Sequence, residues 1–407
     1  MNIETVSGQI FEASPQQDIG IFANSYYAGN DAHNLLAIIQ HVSRSDTVDA
    51  TFLKHSTDNG RTWSQGVPLP RHEKTPQGIL RRFYFPGYVD PLTGRLIEVR
   101  MEGILPTDDP LEGQKYWQLF YRVSEDGGHT YLVDKQLIAR GKEFNADHPF
   151  AGVWRGKNAI QRGAVSCVPL TLADGTLLFP CQIPPLDDDG KIYNPTGGYS
   201  YTDVAVLRAT WQADKTLSWE ISQRVAGDPA RSTRGLIEPT LAILNDGRLL
   251  MVMRGSNHTK PELPAYKWAA YSEDGGRSWT SPTPWTYDDS APFFSPSASS
   301  QLMLHSSGAL LWIGNITNKN PDNNSPRYPL VAGLVDLNTG LLKRDSLQII
   351  TDRQPGESEK VQLSNFFVRE DQGTGEIIVH LTRLLAHSKQ ELDWTSDALI
   401  YRLRLNE

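Results

Sequence analysis

Cysteine is nearly missing from the 407-residue chain, which has only Cys167 and Cys181. Two thiols are too few for a disulfide scaffold, and no histidine spacing helps them toward a zinc site. They flank the turn at Asp174-Gly175 almost symmetrically, and two buried free thiols are expected there. The chain also lacks a basic block. Its formal charge of −8 is spread along the whole length, which argues against nucleic acid or an anionic membrane as partner. No apolar run reaches membrane-spanning length. The opening residues, Met1-Asn2-Ile3-Glu4-Thr5-Val6, show no charged segment followed by an apolar one, so a cytoplasmic protein is expected. Convincing helical periods are scarce too. What the chain has instead is 33 glycines and 26 prolines, a composition suited to many short strands and turns.

One short pattern returns along the sequence. Ser56-Thr57-Asp58-Asn59-Gly60-Arg61-Thr62-Trp63 is echoed by Ser124-Glu125-Asp126-Gly127-Gly128-His129-Thr130-Tyr131 and by Ser272-Glu273-Asp274-Gly275-Gly276-Arg277-Ser278-Trp279. Each copy is Ser-x-Asp-x-Gly-x-Thr/Ser-aromatic, and an alternating apolar and polar run such as Ala50-Thr51-Phe52-Leu53-Lys54-His55 precedes it. That is a strand entering a turn. The aspartate can fold back on the turn backbone, the glycine can take positive φ, and the aromatic ring can drop into the core. Weaker copies surround Asp214 to Trp219 and Asp336 to Gly340. From Trp63 to Tyr131 is 68 residues, and a period of that size divides the chain into about six units.

The octapeptides resemble the Asp-box, or BNR repeat, of the sialidase-like β-propellers. The resemblance implies an all-β chain, a six-bladed propeller of four-stranded antiparallel blades, forming a single domain over residues 1–407. In that family each box closes the hairpin of the third and fourth strands of a blade, on the face away from the active site. The last strand, Leu399 to Leu405, is expected to pair with the N-terminal segment and close the ring, which leaves no open sheet edge.

A second stretch carries the resemblance further. Glu238 precedes a strand, Asn245-Asp246-Gly247-Arg248 makes the turn, and the returning strand ends in Arg254. The similar sialidase segment ends in an arginine that grips the substrate carboxylate, because a forked guanidinium matches a planar anion. By the same resemblance Arg327 is the next anion grip and Arg234 supports it. Asn257 and Asn365 are further substrate contacts, and Glu238 is the base or activator. Asp46, in the loop before the first box, is the general acid, a role open to a carboxyl kept protonated in a pocket. Two family features are absent. Phe22-Ala23-Asn24-Ser25-Tyr26 stands where the first arginine is usual, and Leu363-Ser364-Asn365-Phe366 where the nucleophilic tyrosine is usual. Tyr328 is the nearest substitute for that tyrosine.

The activity implied is a sialidase-like, exo-acting glycoside hydrolase, with a glycan ending in a carboxylate sugar as its partner and no cofactor. The departures keep two alternatives open. One is a propeller lyase acting on uronides, with a histidine base. His33 is the first candidate for it because it sits in the polar cluster Tyr26, Tyr27, His33 and Asn34, and His148 and His258 also lie in polar loops. The other is a propeller that binds carbohydrate without turning it over. No metal-ligand spacing stands out, and neither mechanism needs a metal. The insert from Pro184 to Tyr201 reads as a loop over the active face.

Overall fold

The computed structural model describes residues 2–70 and 72–406. Six antiparallel sheets follow one another along the chain. The first blade is Gly20–Tyr27, Leu35–Val42, Ala50–Ser56 and Val67–Pro68. Gly78–Tyr84, Leu96–Leu105, Gln118–Ser124 and Val133–Gln136 form the second, with Glu73–Thr75 added beside its first strand. The third comprises Leu170–Thr171, Leu177–Ile183, Asp203–Trp211 and Leu217–Ile221, and the fourth Ile237–Ile243, Leu249–Arg254, Lys267–Ser272 and Thr283–Pro284. The fifth holds Gln301–Leu304, Leu310–Asn315, Leu330–Val335 and Gln348–Thr351. The sixth takes Gln362–Glu370, Ile377–Leu384 and Ala398–Asn406, then borrows Asn2–Glu12 as its outer strand. The chain is therefore a six-bladed β-propeller, closed by its N-terminal strand. Second strands such as Leu249–Arg254 and Leu310–Asn315 are buried at every position. Sheets cover both of their faces, so these strands read as continuous apolar runs and not as alternation.

The octapeptides fall between the third and fourth strands of the first, second and fourth blades. In the first, Ser56 Oγ donates to Asp58 Oδ1 (2.8 Å), and Gly60 N donates back to Ser56 Oγ (2.9 Å). Thr62 donates to Asp58 through both its N (2.9 Å) and its Oγ1 (2.6 Å). The other two repeat these bonds around Asp126 and Asp274. The Thr62 hydroxyl and amide hold the Asp58 carboxyl down at about 2. Position four of the box needs positive φ, met by Gly127 (72°), Gly275 (69°) and, in the first copy, Asn59 (58°). Asparagine is among the few side-chain-bearing residues that tolerate this region. Asn59 also uses its amide, donating 2.7 Å to Asp371 of the sixth blade.

That bond belongs to the seam where the ring closes. Thr382 Oγ1 donates to the Ile21 carbonyl (2.5 Å), and His380 Nε2 shares a 2.6 Å hydrogen bond with the Ser25 hydroxyl. Arg369 Nε donates to the same hydroxyl at 3.0 Å. Burial, then the Arg369 and Arg402 charges, push the His380 imidazole well below its usual value. His380 thus stays neutral in the fold, while the unfolded chain takes up a proton near 6.5. Stability is complete above about pH 6.5 and falls as the pH drops, by up to about 1.4 kcal/mol per unit from this group. Denaturant unfolding at about pH 7.5 and about pH 5.5 should show the loss, and His380→Gln should flatten it; equal slopes in both proteins would refute the assignment.

Cys167 and Cys181 are both free and buried. Among the described residues no helix is long and apolar enough to cross a membrane, and no group of three His, Cys, Asp or Glu side chains could hold a metal ion.

Candidate active site

Strand direction alternates within a blade, so each connection is assigned to a face by counting. The turns joining strands one to two and three to four share a face, which is the face of the octapeptides. Loops joining strands two to three, and the connections between blades, lie at the opposite mouth. There the loop before Ala50–Ser56 carries Asp46, and the ends of two fourth-blade strands carry Glu238 and Arg254. Arg327 comes from the loop after Leu310–Asn315, and Arg234 from the connection into the fourth blade.

Glu238 is displayed by a local irregularity. The pairing of the first two strands of the fourth blade slips between Ile237 and Thr240, and Glu238 adopts φ +50°. A bulge of this kind re-aims a side chain, and positive φ at a glutamate is a strained conformation that the surroundings must hold. Gln182 Oε1 does so by accepting from the Glu238 amide at 3.0 Å. The carboxylate then meets Arg254, whose Nη1 donates to Oε1 at 2.8 Å. Arg254 Nε donates to Ser297 Oγ at 2.8 Å. Burial raises the Glu238 pKa, but the charge and hydrogen bond of Arg254, with Arg327 and Lys267 behind them, outweigh it and hold the carboxyl below its ordinary value. Glu238 Oε2 is buried and has no hydrogen-bond partner among the described residues.

Arg327 is fixed by Gln362 Oε1 (2.8 Å) and the Ser297 carbonyl (2.9 Å), and Arg234 by Ser200 Oγ (2.6 Å). The Nε of each is buried without a partner among the described residues. Burial, followed by repulsion from Arg254, lowers the pKa of both. Asp46 acts on Arg234 and Arg327 through its charge, so it shares their neighbourhood. Lys267, fully buried, stands directly across the strand pair from Arg254 and donates to the Ala298 carbonyl. Burial and the charge of Arg254 bring it down to about 7. Four cationic side chains therefore surround two carboxylates. Such a cluster favours a further anion.

The structure brings Asp46, Glu238, Arg234, Arg254 and Arg327 together and sets the other expected residues apart. His33 lies between the first two strands of the first blade, where its carbonyl accepts from the Asn59 amide of the octapeptide (2.9 Å). It is on the face opposite Glu238, so it does not serve as the base. The reason is parity. The loop of His33 joins the first two strands of the blade, one reversal away from the loop of Asp46 between the second and third, and so lies on the other face. Its companions Tyr26 and Tyr27 bond to Glu98 and Asn59 in the scaffold. Tyr328 packs against the apolar core of the fifth and sixth blades, beneath the Arg353 guanidinium. Asn257 is consumed by the loops. Its amide donates to the carbonyls of Pro261, Leu263 and Pro321, and its Oδ1 accepts from the Asn323 amide. Asn365 is half-buried on the inner strand of the sixth blade, past a bulge that begins at Gln362. His148 stacks on Trp154 at 3.5 Å, and His258 accepts from the Tyr199 amide at the mouth (3.3 Å).

Sequence reasoning missed Lys267, Tyr199, Ser297 and Gln362. Only Lys267 left a trace, as a lone charge within the otherwise apolar run Ala265 to Ala270.

The model of the BNR repeat-like domain matches residues 107–365. No curated protein matches the chain significantly. Similar solved structures include a protein of unknown function from Dyadobacter fermentans, with 12% identity, full coverage of both chains and a TM-score of 0.63. The NanB sialidase of Streptococcus pneumoniae has 14% identity over 97% of this chain and 70% of its own, with a TM-score of 0.60. An α-L-arabinofuranosidase of Fusarium graminearum in complex with arabinobiose has 13% identity over 98% of both chains, with a TM-score of 0.55. At these identities the likeness is one of fold.

Proposed function

The chain belongs to the BNR repeat-like domain family, and from that premise we propose that it is an exo-acting glycoside hydrolase for a terminal sugar bearing a carboxylate. The observation that carries this reading is the excess of buried positive charge around Glu238. Arg234, Arg254 and Arg327 repel one another, and the two unpartnered Nε groups are donors left over once the protein's own acceptors are counted. A sugar carboxylate supplies the missing negative charge and acceptors. Asp46 gives a proton to the leaving glycosidic oxygen as its bond to the anomeric carbon breaks. Water attacks that carbon and passes its proton to Glu238 Oε2, the oxygen that Arg254 leaves free. In this reading Glu238 acts directly on water, with no tyrosine between them.

A panel of sialosides, uronate oligosaccharides and an aryl α-L-arabinofuranoside tests the reading. Release of a free acidic monosaccharide is the expected result. Turnover of the arabinofuranoside alone would overturn the preference for a carboxylate. Formation of an unsaturated uronate, read by its ultraviolet absorbance, would replace hydrolysis by elimination. His258 at the mouth favours that second reading over His33.

A further inference from the structure

Asp46 is fastened on one side only. Its carboxylate Oδ2 accepts from the Ser45 hydroxyl (3.1 Å) and from the Tyr199 hydroxyl (3.1 Å), the latter reaching over from the third-blade loop. Among the described residues no hydrogen bond to Oδ1 is present. Asp46 itself sits at φ +55°, so its side-chain direction is set by an unusual backbone conformation. The loop that brings Tyr199 is pinned along its course. Asn194 donates to the Gly198 carbonyl (2.7 Å), Thr196 donates to the Thr233 carbonyl, and the Tyr199 amide donates to His258 Nδ1. The Tyr199 ring lies 5.5 Å from the Arg234 guanidinium. One tyrosine thus joins the third-blade loop, the cation cluster and the first-blade loop.

We propose that Tyr199 is a positioning residue for Asp46, an inference that rests on the acid role given to Asp46 above. With Ser45 it saturates Oδ2 with donors, so a proton taken up by the carboxyl resides on Oδ1, the oxygen left to face the leaving group. The Arg234 contact holds the ring, and the ring holds the hydroxyl. Tyr199 neither gives nor takes a proton. Burial, then the charge and acceptor of Asp46, raise its own ionisation well above the usual tyrosine range, which suits a fixed donor.

Tyr199→Phe keeps the ring on Arg234 and removes only the hydroxyl. On substrates with poor leaving groups kcat should fall about tenfold with KM little changed, and the alkaline limb of the rate profile should move to higher pH. On an aryl glycoside of an acidic phenol, which departs without a proton, the variant should approach wild-type rates. An equal loss on both substrates with an unmoved limb would overturn the proposal and leave Tyr199 a structural residue. A measurement that needs no turnover separates this outcome from failure of the hydrolase reading. With tyrosine carrying carbon-13 at Cζ, the Tyr199 resonance should titrate at lower pH in Asp46→Asn than in the wild type, whether or not any glycan is cleaved. An unchanged titration would show that the two side chains are not coupled and would sink the proposal, whereas inactivity on every glycan with the titration shifted would refute the hydrolase reading and, with it, the acid-positioning role.

Discussion

Arg254→Ala will lose both activity and stability, and a second substitution will restore only the stability. Removing the guanidinium leaves the Glu238 carboxylate without the 2.8 Å donor that offsets its burial, and breaking a buried pair from one side costs about 3–5 kcal/mol. Ser297 Oγ and Asn324 Oδ1 lose a donor as well. The sign with pH follows from Glu238. Its folded pKa is depressed, so the pair contributes stability above the unfolded carboxyl value near 4.3 and loses it as the pH falls through the folded one. In Arg254→Ala this contribution disappears, and the protein should be least compromised at acid pH, where Glu238 takes a proton. The double variant Arg254→Ala/Glu238→Gln removes the orphaned charge and should recover most of the stability. It should remain inactive, and Glu238→Gln alone should cost about 10²–10⁴-fold in kcat. Denaturant unfolding of the four proteins gives the coupling energy directly. A double variant no more stable than Arg254→Ala would mean that the ion pair is not what holds this end of the blade.

The second large effect is expected far from the mouth. Trp312, on the second strand of the fifth blade, is fully buried. It meets Trp285 edge-on with ring centroids 5.5 Å apart and lies 6.0 Å from Phe293, so it fills the space between the fourth and fifth blades. Trp312→Ala should cost about 3–5 kcal/mol through lost burial and the cavity left behind. Trp312→Phe should be far milder than its lost volume suggests. The indole Nε1 has no hydrogen-bond partner, so phenylalanine also removes a buried unsatisfied donor, worth about 1–3 kcal/mol. Trp285 differs because its Nε1 donates to the Gly340 carbonyl at 2.8 Å, and its replacement by phenylalanine should cost more. If the two tryptophan-to-phenylalanine variants unfold at the same denaturant concentration, the orphaned donor does not matter.

The scaffold was legible because its signals are local. An octapeptide fixes its own turn through bonds between residues two and four apart, such as Ser56 to Asp58 and Asp58 to Thr62, and its recurrence, with weaker copies between and after the full ones, reveals the blades. The hairpin of Glu238 and Arg254 was legible for the same reason, since both ends of one strand pair are close in sequence. His33 was misplaced because a side chain's face depends on the number of reversals before it, which is not written next to the residue. Tyr199 lies 153 positions from Asp46, and its loop gives no sign of where it ends. Contacts that cross the mouth are a property of the closed ring.

Ring closure by the N-terminal strand has a consequence for the order in which the molecule is made. Asn2–Glu12 leaves the ribosome long before its partner, Ala398–Asn406, because the whole of the other blades is made between them. While the intervening blades are made, the outer strand of the sixth blade has nothing to pair with, and the Ser25 and Ile21 side of the seam waits for His380 and Thr382. Nascent chains are thus obliged to carry an unpaired, Ile- and Val-containing strand until Ala398–Asn406 has emerged. The acidic residues Glu4 and Glu12 on that strand are suited to keep waiting copies from pairing with one another, as charges do at exposed sheet edges.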